Sequence, residues 1–154
     1  MRTLDTFGYK LIQQFEGLKL KAYAATESEK QRNIWTIGYG NTTYLDGSKV
    51  KKGDEITREQ ADLMFKQTAN KFALDVANLI DVCLTQNQFN ALVSLAYNIG
   101  IGAFKGSTLL RMVNKSPNNP TIKDQFLRWK IAGGKVIQGL LNRRIKESEV
   151  YFSH

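Results

Sequence analysis

Leu4, Phe7, Leu11, Ile12 and Phe15 recur at helical spacing, so the pattern predicts one apolar helix face over residues 3–16. Thr3 is placed to cap that helix. Glu16-Gly17 is placed to end it, because glycine accepts the left-handed turn that follows a helix. The period then changes. Residues 24–33 are polar and read as a loop. Ile34-Trp35-Thr36-Ile37-Gly38-Tyr39-Gly40 is β-branched and aromatic, broken by glycines. Residues 44–50 carry Asp46-Gly47 between short extended runs, a hairpin signal. From Ile56 onward the chain is helical. Thr57-Arg58-Glu59-Gln60 is a capping box that opens a long helix with Ala61, Met64, Phe65, Thr68, Phe72, Val76, Leu79 and Ile80 on one side. Thr85-Gln86-Asn87-Gln88 opens a second, strongly apolar helix that stops at Asn98-Ile99-Gly100. Shorter helices fit 107–114, 121–130 and 139–152, separated at 116–120 and 132–135. The sum is one α+β domain over 1–154. A small antiparallel sheet lobe spans about 17–56. A larger helical lobe spans about 57–154 and includes the first helix. A long helix joins the lobes, and a ligand cleft is expected between them.

Composition changes this picture little: 154 residues, 42% hydrophobic and 23% charged, suit a chain with its own core. The single cysteine, Cys83, sits between Val82 and Leu84 and reads as a small buried side chain. No apolar run approaches the roughly 20 residues of a membrane span. Residues 1–5 lack the basic and apolar segments of a secretory leader, so synthesis in a cytoplasm is the expectation. The charge is uneven. Residues 1–100 hold 12 basic and 11 acidic groups, net +1, and residues 101–154 hold 10 and 3, net +7. Such a surface attracts polyanions, including nucleic acid and wall polymers. No helix-turn-helix or zinc module accompanies it, which argues against a nucleic-acid partner.

The sole histidine, His154, is the last residue, so nucleophilic chemistry has no imidazole base and His/Cys metal sites lack ligands. No metal or cofactor is expected. Gly38-Tyr39-Gly40 lacks the third glycine and following helix of a dinucleotide loop. Carboxylate chemistry remains. Glu59, Asp62, Asp75, Asp81, Asp124, Glu147 and Glu149 fall on or beside helices and read as solvated surface. Asp46 belongs to its turn, and Asp54 precedes a helix whose dipole favours it. Glu16 stands apart: it follows Phe15 at the end of an apolar helix, where a carboxyl suits general-acid work, although an exposed helix-end glutamate looks the same.

Phe15-Glu16-Gly17-Leu18-Lys19-Leu20-Lys21-Ala22-Tyr23 followed by Trp35-Thr36-Ile37-Gly38-Tyr39-Gly40 resembles the catalytic region of the phage-type lysozymes, glycoside hydrolase family 24. The likeness continues through residues 50–57, 84–93 and 98–104, and ends with Arg128-Trp129, residues 132–135, Gly139-Leu140 and Arg143-Arg144. It covers nearly the whole chain in order, with the endolysins of tailed phages as the relatives it suggests. It implies a lysozyme-like α+β fold. It also implies a muramidase that hydrolyses the β-1,4 bond between N-acetylmuramic acid and N-acetylglucosamine in peptidoglycan, with inversion. The expected enzyme is a monomer without cofactor or stable membrane insertion. It would be made in the host cytoplasm and reach the wall through a separate pore-forming phage protein.

The family's catalytic glutamate falls on Glu16 and its threonine on Thr36. Its third member, usually an aspartate, falls on Ala25. A glycosidase normally needs two carboxyl groups, so three expectations stand. The first, and favoured, is an active-site substitution that leaves a folded lysozyme with little activity; a non-catalytic wall-binding protein on the same fold is the alternative function. In the second, Glu27 or Glu29 in the polar stretch supplies the missing carboxylate. In the third, the substrate's acetamido group assists. The resemblance further implies that Tyr39, Asn41 and Asn98 line the sugar path and that Arg143, in competition with Arg144, pairs with Glu16. Asn98 equally suits a helix cap, and Arg143 a solvated helix surface. Trp35 and Trp129 could stack on sugars but read first as core, as does Phe104.

Overall fold

A computed structural model describes residues 2–154; Met1, the first residue of the stretch read for a leader, lies outside the described residues. The chain divides into two compact units. One is the continuous segment Gln13–Ala69; the other joins the segment ending at Ile12 to Asn70–His154. Among the described residues, no helix is long and apolar enough to cross a membrane.

In the continuous unit, β1 (Lys19–Tyr23) pairs antiparallel with β2 (Thr36–Gly38). Lys19 stands opposite Gly38 and Tyr23 opposite Thr36, with a register irregularity between. The other edge of β1 is also occupied: the Ala22 N–H donates to the Asp54 carbonyl at 2.9 Å and the Ile56 N–H to the Leu20 carbonyl at 2.9 Å. Ile37, Val50 and Met64 form the core under this sheet, with Ala22, Trp35, Tyr44 and Ile56 packed around them. Met64 comes from α3 (Arg58–Leu79), whose first three turns therefore belong with the sheet. That is why the unit ends at Ala69, inside the helix, and not at the expected 56. Thr57 and Gln60 close the expected capping box, through Thr57 N–H to Gln60 Oε1 at 2.8 Å and Gln60 N–H to Thr57 Oγ1 at 3.2 Å.

The Asp46-Gly47 turn forms as expected, with Gly47 at φ 86°. The Asp46 carboxylate accepts from the Ser48 N–H at 2.9 Å and hydroxyl at 2.6 Å. Only an isolated bridge between Thr43 and Lys49 flanks it, so no full strands develop. The polar stretch is not all loop. It contains α2 (Glu27–Gln31), capped by Thr26. Asp54 also departs from expectation. It precedes α3, but its carboxylate accepts from the Tyr44 hydroxyl at 2.6 Å and the Lys51 N–H at 2.8 Å. The Tyr44 bond, with the Lys51 N–H, holds that carboxyl below its ordinary range. Burial and the same Asp54 contact push the Tyr44 phenol up to about 12.

The helical unit is built around α4 (Gln86–Ile99), in which every residue from Gln88 to Ala96 is buried. A helix buried on all sides, its few polar groups hydrogen-bonded, belongs at the centre of a fold. Against it pack α5 (Ile101–Lys105) and α8 (Gln138–Tyr151), with α6 (Thr108–Lys115) and α7 (Ile122–Leu127) completing the layer. The expected capping box of Thr85 and Gln88 is present in both directions. Gly100, at φ 92°, ends α4, so Asn98 does not cap it. Residues 132–135, expected only as a separator, form a hairpin of β3 (Ile131–Ala132) and β4 (Lys135–Val136). Gly133 and Gly134 both hold positive φ at its turn, the conformation that two-residue hairpins require. Cys83 is exposed, contrary to its expected burial. It lies in the link between α3 and α4, where Leu84 alone turns fully inward.

The first helix, α1, is shorter than expected, Thr6–Gln13. Asp5, not Thr3, caps it, its Oδ1 accepting from the Gly8 N–H at 2.8 Å. The same oxygen accepts from Asn90 Nδ2 at 2.9 Å, and Asn90 is fully buried in α4. This tie brings α1 so close to α4 that a Cβ on Gly8 would collide with the Asn90 amide and approach Leu4 Cδ2 within 2.9 Å. Gly8→Ala therefore destabilises the chain by about 1–3 kcal/mol, although alanine is the better helix former. Urea unfolding measures this; an unchanged midpoint would show that α1 moves freely over α4.

Candidate active site

Glu16 lies in the turn between α1 and β1, half-buried, its N–H donating to the Gln13 carbonyl at 3.1 Å. It stands three residues past the end of α1 and not on the helix end expected from the sequence. Ala25 follows β1 by two residues and is exposed. Thr36 opens β2 and is buried. Because Tyr23 pairs with Thr36, the sheet register puts Ala25 and Thr36 at the same end of the strand pair. Lys19, the residue nearest Glu16 along β1, marks the other end.

The polar side chains expected along the sugar path divide between the units. Tyr39 and Asn41 are in the sheet unit. Tyr39 is buried, its hydroxyl donating to Asp62 at 3.1 Å and its ring tilted on Phe65 at 5.3 Å. Burial, then the Asp62 carboxylate, raises its phenol above the ordinary value. Asp62 is thereby half-buried and bonded, not the solvated surface residue expected. Asn41 closes a tight turn by exchanging backbone hydrogen bonds with Ile37, and its Nδ2 donates to Thr68 Oγ1 at 3.0 Å. Its Oδ1 is shielded from solvent and accepts from no described residue. Trp35 is half-buried rather than core, its Nε1 donating to Asn33 Oδ1 at 2.9 Å.

Asn98 and Arg143 are in the helical unit. Asn98 is exposed in the last turn of α4. Arg143 is not a solvated helix arginine: it is 4% exposed, and Arg144 beside it is fully buried. Both meet Glu147, which is buried completely instead of lying on the surface. Arg143 Nε sits 3.1 Å from Glu147 Oε2 and Arg144 Nε 2.7 Å from Oε1. The Ser94 hydroxyl donates to Glu147 Oε2, and Arg143 Nη2 donates to the Ser94 carbonyl at 3.0 Å. Burial raises the Glu147 carboxyl, opposed by Arg144, Arg143 and Ser94. Sequence reasoning missed this cluster; helical spacing put Arg143, Arg144 and Glu147 within one turn, but their burial depends on α4. Trp129 is half-buried, and Phe104 is fully buried as expected. An open hollow of about 790 Å³ in this unit is lined by Arg2, Ile80, Cys83 and Phe89 among others, and by none of the candidate catalytic residues.

The phage lysozyme family signature matches residues 13–147. The chain belongs to the phage lysozyme family. It is 44% identical over 146 residues to the endolysin of Bacillus phage PZA, covering 95% of this chain and 54% of that relative. This chain thus spans about half the length of that curated relative. The solved endolysin of Escherichia coli O157:H7 phage FAHEc1 is 38% identical, with a TM-score of 0.85 over 99% of this chain and 94% of that one. The muramidase domain of SpmX from Asticaccaulis excentricus is 31% identical, with a TM-score of 0.84 over the full length of both. The lysozyme-like α+β fold expected from the sequence is the fold of these neighbours.

Proposed function

We propose that this phage lysozyme family member is a muramidase that hydrolyses the β-1,4 bonds between N-acetylmuramic acid and N-acetylglucosamine in peptidoglycan, for host-cell lysis. What supports this is that Glu16 and Thr36, where the family's glutamate and threonine fall, adjoin the two paired strands of one compact unit. In this reading Glu16 protonates the oxygen of the departing sugar, and the Thr36 hydroxyl orients the attacking water. Substrate binding is assigned to Tyr39 and Asn41 in the sheet unit and to Asn98 and Arg143 in the helical unit. Residues 1–154 act as one monomeric lysozyme domain. The enzyme is made in the host cytoplasm, and a pore-forming phage protein gives it access to the wall.

The test is digestion of purified peptidoglycan. New reducing ends on N-acetylmuramic acid, identified by borohydride reduction and mass spectrometry, are the expected result. Ala25 motivates a second reading, a non-catalytic wall-binding protein on the same fold. Tight sedimentation with insoluble peptidoglycan and no new reducing ends would decide for that reading.

A further inference from the structure

Three segments of this chain have the threonine-x-x-glutamate/glutamine form of a capping box: Thr57–Gln60, Thr85–Gln88 and Thr26–Glu29. In such a box the N-cap hydroxyl accepts from the backbone N–H three residues on, and the side chain at that third position reaches back to the N-cap N–H. Gln60 and Gln88 both make the return bond, at 2.8 and 2.9 Å. At the third box only the first half forms, Glu29 N–H to Thr26 Oγ1 at 3.1 Å. The Glu29 carboxylate makes no return bond. Its Oε2 is shielded from solvent and accepts from no described residue. A buried carboxylate oxygen that declines its local donor costs free energy, and a catalytic role is one physical reason for keeping such a group.

Its direction follows from helix geometry. Side chains on a helix lean toward the N-terminus, so a residue at the third position covers the turn before it, here Ala25 and Thr26. Ala25 carries only a methyl group and supplies no acid there. The Tyr23–Thr36 pairing puts the start of that turn at the same end of the strand pair as Thr36. Glu27, by contrast, is exposed on the first turn of α2.

We propose that Glu29 is the second catalytic carboxylate, filling the role for which position 25 has no acid. The inference rests on the muramidase reading. The Glu29 carboxylate takes a proton from a water whose oxygen bonds to the anomeric carbon of N-acetylmuramic acid. The glycosidic C–O bond breaks, its electron pair stays on the departing oxygen, and that oxygen takes the proton of Glu16. One water is consumed, Glu16 ends ionised and Glu29 protonated, and exchange with solvent resets both. A separation of roughly 6.5–9.5 Å between the two carboxyl groups accommodates the water.

The test measures reducing-end release from purified peptidoglycan by the full chain and by Glu29→Gln, Glu29→Ala, Glu27→Gln and Ala25→Asp, each checked for an unchanged unfolding midpoint. Glu29→Gln is expected to lower kcat by roughly 10²–10⁴-fold with KM little changed. Glu27→Gln is expected to match the parent. Added azide is expected to restore turnover to Glu29→Ala and to yield an inverted glycosyl azide, which a purely structural role for Glu29 does not produce. Ala25→Asp is expected to give no large gain. Parental kcat in Glu29→Gln overturns the assignment while leaving the muramidase reading intact. A parent chain that releases no reducing ends overturns both. In that case, a 10²-fold or larger rise on Ala25→Asp identifies the missing aspartate as the defect.

Discussion

On the muramidase reading, Glu16→Gln is expected to abolish peptidoglycan hydrolysis and to leave binding to insoluble peptidoglycan close to that of the parent. The amide matches the carboxyl in size and hydrogen-bonding reach, but it has no proton to give to the departing sugar oxygen. Without that proton the leaving group must depart as an alkoxide, and a positioned general acid contributes roughly 10²–10⁴-fold on its own. The loss exceeds that expected of any substitution at Tyr39, Asn41 or Asn98, which the proposed function assigns to binding. Because Glu16 sits half-buried in a turn and not within α1, the unfolding midpoint should move little. Hydrolysis at the parental rate by Glu16→Gln would falsify the assignment of the general acid and leave the family membership untouched.

Glu147→Ala has the largest expected effect on stability. Arg143 and Arg144 are both buried and both converge on this carboxylate, with the Ser94 hydroxyl donating to it as well. Removing the acid leaves two guanidinium groups in a poorly solvated interior with no counter-charge. Breaking a buried ion pair from one side typically costs about 3–5 kcal/mol, a large share of a domain's total stability. Guanidinium unfolding of the purified variant measures it. A loss below about 1 kcal/mol means that water reaches the arginines and that the cluster contributes little. Replacing Arg143, Arg144 and Glu147 together by apolar residues of similar volume should cost much less than Glu147→Ala alone, since no charge is then stranded.

The elements legible in the sequence are those with local causes. The capping boxes at Thr57 and Thr85 announce α3 and α4 because hydroxyl, backbone and glutamine are within one turn of each other. The Asp46-Gly47 turn is likewise local. The short elements were not legible: α2 is five residues long, and β3 and β4 are two residues each, too short for hydrophobic periodicity to accumulate. Burial of charge was hidden for a different reason. Arg143, Arg144 and Glu147 read as a solvated helix face, since nothing nearby in sequence tells which partner helix covers them. Glu16 and Thr36 were found through resemblance to the phage lysozymes, and Glu29 only as one of two acids in a polar stretch. What separates Glu29 from Glu27 is a return bond that was not made, which only coordinates reveal.

The helical unit is assembled from both ends of the chain, with Leu4, Leu11 and Ile12 belonging to the same unit as α4 and α8. A ribosome delivers the polypeptide from the N-terminus, at roughly 5–20 residues per second. Gln13–Ala69 emerges as one uninterrupted segment, with Ile37, Val50 and Met64 all available early to collapse together. The first helix has no such early berth. Asp5 waits for Asn90, and α4 waits for α8, which is translated after it. Arg143, Arg144 and Glu147 reach their burial against α4 only after α8 has been translated. A nascent chain stalled before α8 thus carries Gln13–Ala69 ready to collapse, while the helical unit is withheld until α8 has left the exit tunnel.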